Sequence, residues 1–363
     1  MIEDISFQLR RGEVAVLMGP NASGKTTLIK AIAGLITPFK GRILIDDNTV
    51  FETRRSDGRI VVNAPPHLRK IGYVPSDYAL LDHLTVWENV MLGLAKKPFS
   101  RHEKEKKVRD ILEFMSLERY SNMKPPALSN GLKQKVALAR ALVAEPKLLL
   151  LDEPFSSIDP ASKPVIRYEL KKLLASWKIT TIIATHDVED AFWFHDRVLV
   201  LNGRKLTYDS PFLSEETISN EYLAKSLGFN VLEGRIIQIM KPGKYLVEIG
   251  KSTVLATSGS VGNKLAEGSL VNIVFPPVVS KLTPGCSESV EVNSLKGNLL
   301  EVIERFDHVT LLLEIDSSKV RVNLLRREWE KLRSMVSGNC LTLILPENSV
   351  SIIEKRAPGG WNA

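Results

Sequence analysis

Residues 19–26 read Gly19-Pro-Asn-Ala-Ser-Gly24-Lys25-Thr26, which fits the pattern G-x-x-x-x-G-K-[ST]. The glycines at both ends allow the backbone to wrap around an anion, so that N–H groups converge on phosphate oxygens. The Lys25 ammonium group suits the β- and γ-phosphates, and the Thr26 hydroxyl can ligate Mg²⁺. The stretch therefore predicts a phosphate-binding loop. Its candidate ligand contacts are Gly19, Pro20, Asn21, Ala22, Ser23, Gly24, Lys25, Thr26 and Thr27.

The segments on either side of the loop support this interpretation. Glu13–Met18 is apolar after its first residue and predicts a short buried strand, and Thr26–Ala33 predicts a helix whose N-terminus faces the loop. Strand, glycine-rich loop and helix form the order that phosphate binding requires. The alternative, a glycine-rich turn that binds nothing, is disfavoured by this order. Upstream, Ile5–Leu9 alternates apolar and polar residues and predicts another strand.

Two further apolar strands end in residues that carry chemistry. Lys147–Leu151 runs into Asp152 and Glu153, and Ile179–Ala184 runs towards His186. Because the strands alternate with helices, we expect a mainly parallel sheet with ligands at the C-terminal ends of its strands. Asp152 is then suited to Mg²⁺ and Glu153 to activating a water. The alternative for the two carboxylates is a capping pair at a turn.

Composition limits the classes of function. The chain has 363 residues, 44% of them hydrophobic and 25% charged, which is typical of a globular protein with two or more domains. A net charge of +7 is compatible with nucleic acid or an anionic membrane surface as a partner. The sequence lacks a dense block of Lys and Arg with interleaved aromatic residues, so we expect no nucleic-acid partner.

Three features bear on the cellular compartment. The sequence has no apolar run long enough to span a bilayer, and its N-terminus lacks a charged-then-apolar signal. Cys286 and Cys340 lie far apart in sequence, which favours a reducing compartment. We therefore expect an intracellular protein that reaches a membrane only through a partner.

After Phe229 the residue pattern changes and predicts short strands with alternating apolar and polar residues. Asn230–Ile239 matches Asn293–Val302 in its asparagine, leucine, glycine and apolar spacing, and Gly268–Pro276 pairs in the same way with Gly338–Pro346. Two copies of one small β-unit explain both matches. Chance similarity between amphipathic strands is the weaker explanation, because the first and last segments recur in order.

The ordered motifs resemble those of the ATPase subunit of ABC transporters. The resemblance implies an α/β P-loop NTPase of the ABC type at residues 1–229, with a helical subdomain at about 76–144. An all-β, duplicated OB-like domain is then expected at 230–355, with a tail at 356–363. The motifs are Walker A at Gly19–Thr26, the signature at Leu128–Leu132, Walker B at Leu148–Glu153, a D-loop at Ser156–Asp159 and the switch histidine at Thr185–Asp187.

The resemblance also implies an assembly and a set of ligands. It implies a head-to-tail homodimer with two ATP molecules, each held between the loop of one chain and Ser129 and Gly131 of the other. Asn130 is assigned to the same nucleotide site. Asp159 of the D-loop is assigned to the same nucleotide site. Glu153 and His186 are assigned to catalysis. The residues assigned to Mg²⁺ are Thr26, Ser76 and Asp152.

The second half resembles the regulatory domain of import ATPases for sugars, polyamines, iron and oxyanions. This implies integral membrane permease subunits as partners, a solute-binding protein reached through the permease, and a place on the cytoplasmic face of the cell membrane. The segment Lys319–Lys331 is similar to the barrels of molybdate and tungstate importers. Its basic residues are candidates for an oxyanion site, and a solvated strand face is the alternative. They are Lys319, Arg321, Arg326 and Arg327.

Three departures from the family pattern stand out. Ser76 occupies the place of a glutamine that contacts Mg²⁺ and the attacking water, and serine is too short to reach as far without a bridging water. Asn130 and Leu132 replace a glycine and a glutamine of the signature. The aromatic residue on which the family stacks adenine would lie upstream of Met1, so we expect either an earlier native start or a different adenine contact.

Two other functions compete with an importer ATPase. One is a non-transport ATPase that acts on nucleic acid or ribosomes, which is disfavoured because the sequence has one cassette and no room for a long coiled coil. The other is a catalytically inactive regulatory subunit, suggested by Ser76 and Asn130. Against it, Lys25, Glu153 and His186 are all present.

Overall fold

The computed structural model describes residues 2–54, 56–194, 196–210, 220–257, 265–277, 281–285, 293–304, 308–334, 339–345 and 349–354. The chain divides into two compact units, Met1–Phe212 and Leu213–Ala363. The predicted tail at 356–363 lies outside the described residues.

The division between the units precedes the predicted boundary at residue 229. The helix Glu221–Ser226 belongs to the second unit and packs on strands that follow it in sequence. Its Ala224 is buried in a cluster with Val274 and Ile353, and its Glu221 accepts a hydrogen bond from Asn272 at 3.1 Å.

The first unit alternates strands and helices. Its central strands are continuous apolar runs that are buried on both faces, as in other parallel sheets covered by helices. The elements are β1 Val14–Met18, α1 Lys25–Ala33, β2 Arg42–Ile45, β3 Asn48–Thr53, β4 Ile60–Asn63, β5 Ile71–Val74, α2 Val86–Leu92, α3 Arg101–Phe114, α4 Asn130–Leu142, β6 Leu148–Asp152, α5 Lys163–Trp177, β7 Thr180–Thr185, α6 Val188–Trp193, β8 Arg197–Asn202 and β9 Lys205–Ser210.

The main sheet has the order β5-β6-β7-β1-β8-β9, with only β9 antiparallel to its neighbour. Its register pairs Met18 with Thr185 and Asp152 with Ala184. The ends of β1, β6 and β7 therefore meet at one edge of the sheet, where the phosphate loop begins. This arrangement confirms the predicted α/β class. A separate antiparallel sheet consists of β2, β3 and β4.

The predicted strand at Ile5–Leu9 does not form: these residues belong to no strand. Ile5, Phe7 and Leu9 nevertheless pack against the core around β1 and α1. The alternation identified the apolar face of this segment correctly. It could not show that the segment lacks a backbone ladder, because pairing depends on neighbours that are distant in sequence.

Helix starts follow the capping residues. Thr85 with Glu88, and Ser100 with Glu103, form reciprocal capping boxes at the N-termini of α2 and α3. Two separate helices therefore begin at these caps. Ser129 caps α4, so the signature residues lie at the first turn of that helix.

The second unit is almost entirely β-structure. Strands β10, β11, β12, β19 and β13 form a closed barrel, and β14, β18, β15, β16 and β17 form a second sheet in that order. This confirms the predicted all-β C-terminal domain. The elements are α7 Glu221–Ser226, β10 Asn230–Lys241, β11 Lys244–Ile249, β12 Ser252–Thr257, β13 Leu270–Phe275, β14 Lys281–Pro284, β15 Ser294–Glu304, β16 His308–Ile315, β17 Ser318–Leu325, α8 Arg326–Arg333, β18 Cys340–Ile344 and β19 Ser351–Glu354.

The two copies exchange one strand each. β14 follows β13 of the first copy but pairs with β18 in the second sheet. β19 follows β18 of the second copy but pairs with β13 and closes the first barrel. The two repeated β-units are therefore interleaved and do not form two independent domains.

The repeated asparagine strengthens this exchange. Asn230, the first residue of one copy, accepts from the Arg321 N–H at 2.8 Å and donates to the Arg321 carbonyl at 2.9 Å. Asn293, the matching residue of the other copy, accepts from the Leu255 N–H at 2.7 Å. Each buried amide therefore satisfies backbone groups of the opposite copy, which explains why both copies have asparagine at this position.

Cys340 is disulfide-bonded, although the two cysteines of the chain lie far apart in sequence. Distance in sequence does not predict which segments lie together in this domain. β18, which begins at Cys340, pairs with β14, and the Gly285 N–H at the end of β14 donates to the Cys340 carbonyl at 2.9 Å.

Candidate functional site

The loop between β1 and α1 folds around the side chain of Lys25. The Lys25 ammonium donates to the carbonyls of Gly19 at 2.7 Å and Pro20 at 3.2 Å, and only 6% of the residue is exposed. Burial lowers the pKa of Lys25, while the nearby Glu153 and Asp152 carboxylates act in the opposite direction. A cation is thus held across the mouth of the loop.

The glycines of the loop leave no room for a side chain. Gly24 has φ +107°, and a Cβ atom there would lie 2.2 Å from the Ile2 side chain. A Cβ atom on Gly19 would lie 2.2 Å from the Leu201 carbonyl oxygen. These positions therefore need glycine for both conformation and packing.

A hydroxyl and a carboxylate meet at the start of α1. The Thr26 hydroxyl donates to Asp152 Oδ1 at 3.0 Å, and Asp152 is 3% exposed at the end of β6. Burial raises the pKa of Asp152, and the hydrogen bond from Thr26 opposes that effect. Two adjacent oxygen ligands of these kinds suit Mg²⁺, so the residues present fit that ion.

Glu153 directly follows β6, and its backbone departs from the extended conformation of that strand. Its φ is +50°, and its N–H donates to the Ala184 carbonyl at 2.8 Å. One carboxylate oxygen lies 2.9 Å from His186 Nδ1 and the other 4.0 Å from the Lys25 ammonium. The structure therefore brings Lys25, Glu153 and His186 together from the ends of three neighbouring strands.

The predicted signature residues lie in a different place. Ser129 accepts the Leu132 N–H at 3.4 Å, and Asn130 donates from Nδ2 to the Ser157 carbonyl at 2.7 Å. Together with Gly131 and Asp159 they line a cavity of about 680 Å³, and no residue of 19–27 lines it. The predicted signature and D-loop residues thus form one group, and the predicted phosphate loop with Glu153 and His186 forms another.

Comparison with known proteins gives the family. The sequence profile of the ABC transporter family matches residues 2–156. The chain is 37% identical over 251 residues to the molybdate/tungstate import ATP-binding protein WtpC of Pyrococcus horikoshii, a match that covers 68% of this chain and 70% of that protein. The chain belongs to the ABC transporter family. It is also 32% identical to the spermidine/putrescine import ATP-binding protein PotA of Lawsonia intracellularis, over 87% of this chain and 82% of that protein.

Solved ABC structures share the fold. A dimeric structure of the ATP-binding cassette MJ0796 in a post-hydrolysis state, bound to ADP and Pi, has a TM-score of 0.50 and 28% identity, covering 59% of this chain and 91% of that one. CbiO1 of Clostridium perfringens, part of the ABC transporter complex cbiONQ, has a TM-score of 0.51 and 29% identity, covering 62% of this chain and 87% of that one. The predicted ABC fold is therefore confirmed.

Ser76, the third predicted metal ligand, follows β5, which lies beside β6 in the main sheet. It is exposed after β5, and no hydrogen bond joins it to Thr26 or Asp152 within the described part of the chain. Tyr73 of the same strand was missed by the sequence analysis. Its hydroxyl is buried without a hydrogen-bond partner among the described residues, and burial, then Asp152 and Asp77, raise its pKa to about 12.

Arg140 joins α4 to the segment just after Ser76, and the sequence analysis also missed it. From α4 its guanidinium donates to the carbonyls of Tyr78 at 2.6 Å and Ala79 at 2.5 Å. Both acceptor residues have positive φ, so the segment just after Ser76 holds an uncommon turn. The helix that begins with the signature therefore fixes that turn.

Proposed function

We propose that this chain is the ATP-hydrolysing subunit of an ABC importer, in which two copies close around ATP and drive a membrane permease. The observation that carries the proposal is the convergence of Lys25, Glu153 and His186 beside the Thr26–Asp152 pair at one sheet edge. The import proteins WtpC and PotA, to which the chain is similar, support the same function. They favour an importer over a nucleic-acid ATPase.

The geometry suggests a role for each side chain. Lys25 compensates the charge of the β- and γ-phosphates, and the loop N–H groups orient them. Thr26 and Asp152 would hold Mg²⁺, which when bound neutralises charge on the phosphate oxygens. Glu153 accepts a proton from the attacking water, and His186 holds the Glu153 carboxylate and the γ-phosphate in place.

A second copy of the chain completes the site in this proposal. Ser129, Asn130, Gly131 and Asp159 line a cavity that shares no residue with the phosphate loop of the same chain. Residues that contact the γ-phosphate from the signature must then come from a partner. The MJ0796 cassette, which this chain resembles, is dimeric in its solved structure.

The remaining partners follow from the importer assignment. The permease would be an integral membrane protein, and a solute-binding protein would act through it. In the portion of the chain that the structure describes, no helix is both long and apolar enough to cross a membrane. From the importer assignment we infer that the chain lies at the cytoplasmic face of the membrane, bound to the permease.

The identity of the transported solute is the most detailed part of the proposal. WtpC is named as a molybdate/tungstate import protein, and PotA as a spermidine/putrescine import protein. The predicted oxyanion residues give little support to the first pair. Arg326 pairs with Glu304 at 3.8 Å and with Glu330 at 3.6 Å, and Lys319 lies opposite Glu314 in the β16–β17 ladder. These carboxylates compete with an anion, so we place no oxyanion site on this segment.

Purification and reconstitution test the proposal. The full chain, purified in detergent from its native membranes, is expected to carry a polytopic membrane protein identifiable by mass spectrometry. In proteoliposomes the complex should release phosphate from ATP only with Mg²⁺, and the rate should rise with one of molybdate, tungstate, spermidine or putrescine. Co-purification with ribosomes or nucleic acid instead, or the absence of phosphate release, would contradict the assignment.

A further inference from the structure

Beneath the switch histidine lies a completely buried arginine. Arg167 of α5 has 0% exposure, and its guanidinium is surrounded by three carboxylates at or just before the start of α6. Its nitrogens donate to Asp190 at 2.7 Å, to Glu189 at 2.5 Å and to Asp187 at 2.7 Å. A buried guanidinium needs such partners, because an unpaired charge in the interior is costly.

This network holds both neighbours of His186. Asp187 is fixed directly by Arg167, and its N–H donates to the Thr185 hydroxyl at 3.0 Å. The Thr185 hydroxyl in turn donates to Asp190 Oδ2 at 2.5 Å. The backbone on each side of the histidine is therefore tied to one buried ion cluster.

The imidazole itself has little other support. The His186 side chain is 55% exposed, so packing alone does not define its direction. Its ring nitrogen nevertheless lies 2.9 Å from Glu153 Oε2. The position of that nitrogen must come mainly from the backbone that Thr185 and Asp187 fix.

Arg167 also contacts the segment that carries Glu153. Its guanidinium lies over the ring of Phe155, 5.5 Å from the centroid, and Phe155 follows Glu153 by two residues. Phe155 is 2% exposed and stacks on Phe194 with the ring planes 8° apart. One side chain thus joins the segments that carry both members of the catalytic pair.

We infer that Arg167 is a positioning residue that sets His186 against Glu153. The inference rests on the proposed function, in which this pair acts on ATP. A planar guanidinium fork can satisfy three carboxylates from two directions and lie on an aromatic ring, and lysine, a single point charge, cannot. Replacing a buried ion cluster by apolar residues is often neutral or stabilising, so stability alone gives a weak reason for this arrangement.

A double-mutant cycle on the full chain tests the inference. We expect Arg167→Lys to lower kcat for ATP hydrolysis about 10- to 100-fold, with KM and the Kd for ATP little changed, because the phosphate loop is untouched. In a His186→Ala background the same substitution should change kcat by less than about twofold. Its matched control is Arg197→Lys, which removes a bidentate Asp209 pair at the opposite edge of the sheet and should leave kcat unchanged.

The outcomes separate the possible roles of Arg167. A merely structural role would lower Tm and reduce kcat by the same factor in both backgrounds, and that result would overturn the inference. If Arg167→Lys does not fold, Asp187→Asn takes its place, because it keeps an oxygen to cap α6 while weakening the tie to Arg167. Absence of phosphate release from the wild-type chain would refute the proposed function, and the inference with it.

Discussion

Glu153→Gln is expected to reduce phosphate release at least about 100-fold, since a positioned general base typically contributes 10²–10⁴-fold. The amide has the same shape as the carboxylate but cannot accept the proton of the attacking water. The affinity for ATP should stay close to that of the wild type, because Lys25 and the loop N–H groups are unchanged. Single-turnover phosphate release measures the first effect, and fluorescent-nucleotide titration measures the second.

The control for Glu153→Gln is Glu113→Gln, which makes the same chemical change at an exposed position of α3. It should leave both quantities unchanged. Wild-type turnover by Glu153→Gln would show that Glu153 is not the base. The 2.9 Å contact with His186 would then be a structural contact only.

Lys25→Ala is expected to weaken ATP binding about 10- to 100-fold, the range given by the loss of one hydrogen-bonded charge partner of about 1.5–3 kcal/mol. The physical reason is that Lys25 is the buried cation at the mouth of the loop. Lys25→Met should have nearly the same effect, because it keeps the volume of the side chain and removes only the charge. Isothermal titration with ATP and Mg²⁺ measures the change.

Lys40→Ala provides the matched control for that titration, since Lys40 is exposed beyond the end of α1. It should bind ATP like the wild type. If Lys25→Met bound ATP as tightly as the wild type, the charge of Lys25 would not contribute to binding, and the loop would hold phosphate through its backbone alone.

The central fold was predictable because its signals are local. β1, β6 and β7 are continuous apolar runs, and Asp152 and Thr185 end two of them, so a parallel sheet places their chemistry at one edge. The exchange of β14 and β19 was not predictable in the same way. Each is a four-residue strand that pairs with a strand of the other repeated β-unit in the same chain. Pairing between segments that are distant in sequence produces no periodic pattern of residues.

The candidate site likewise has a part that the sequence predicts and a part that it does not. The loop residues and the Glu153–His186 pair follow from motifs, whereas the amide contact of Asn130 with Ser157 depends on how two loops meet. Arg167 did leave a signal. It lies three residues before Leu170 and seven before Leu174, on the buried stripe of α5. A charged residue on such a stripe indicates a buried ion cluster.

If each ATP is held between two copies of the chain, the Glu153→Gln protein should retain bound ATP. Radiolabelled ATP is bound with Mg²⁺ and then chased with excess unlabelled ATP. We expect slow release from Glu153→Gln and rapid release when Ser129→Asp is added. Asp still caps α4, but its charge would repel the γ-phosphate bound to the partner. Ser129→Asn, which caps without the charge, should retain ATP for longer than Ser129→Asp. Equal release rates for all three proteins would show that Ser129 does not contact ATP bound to a second copy of the chain.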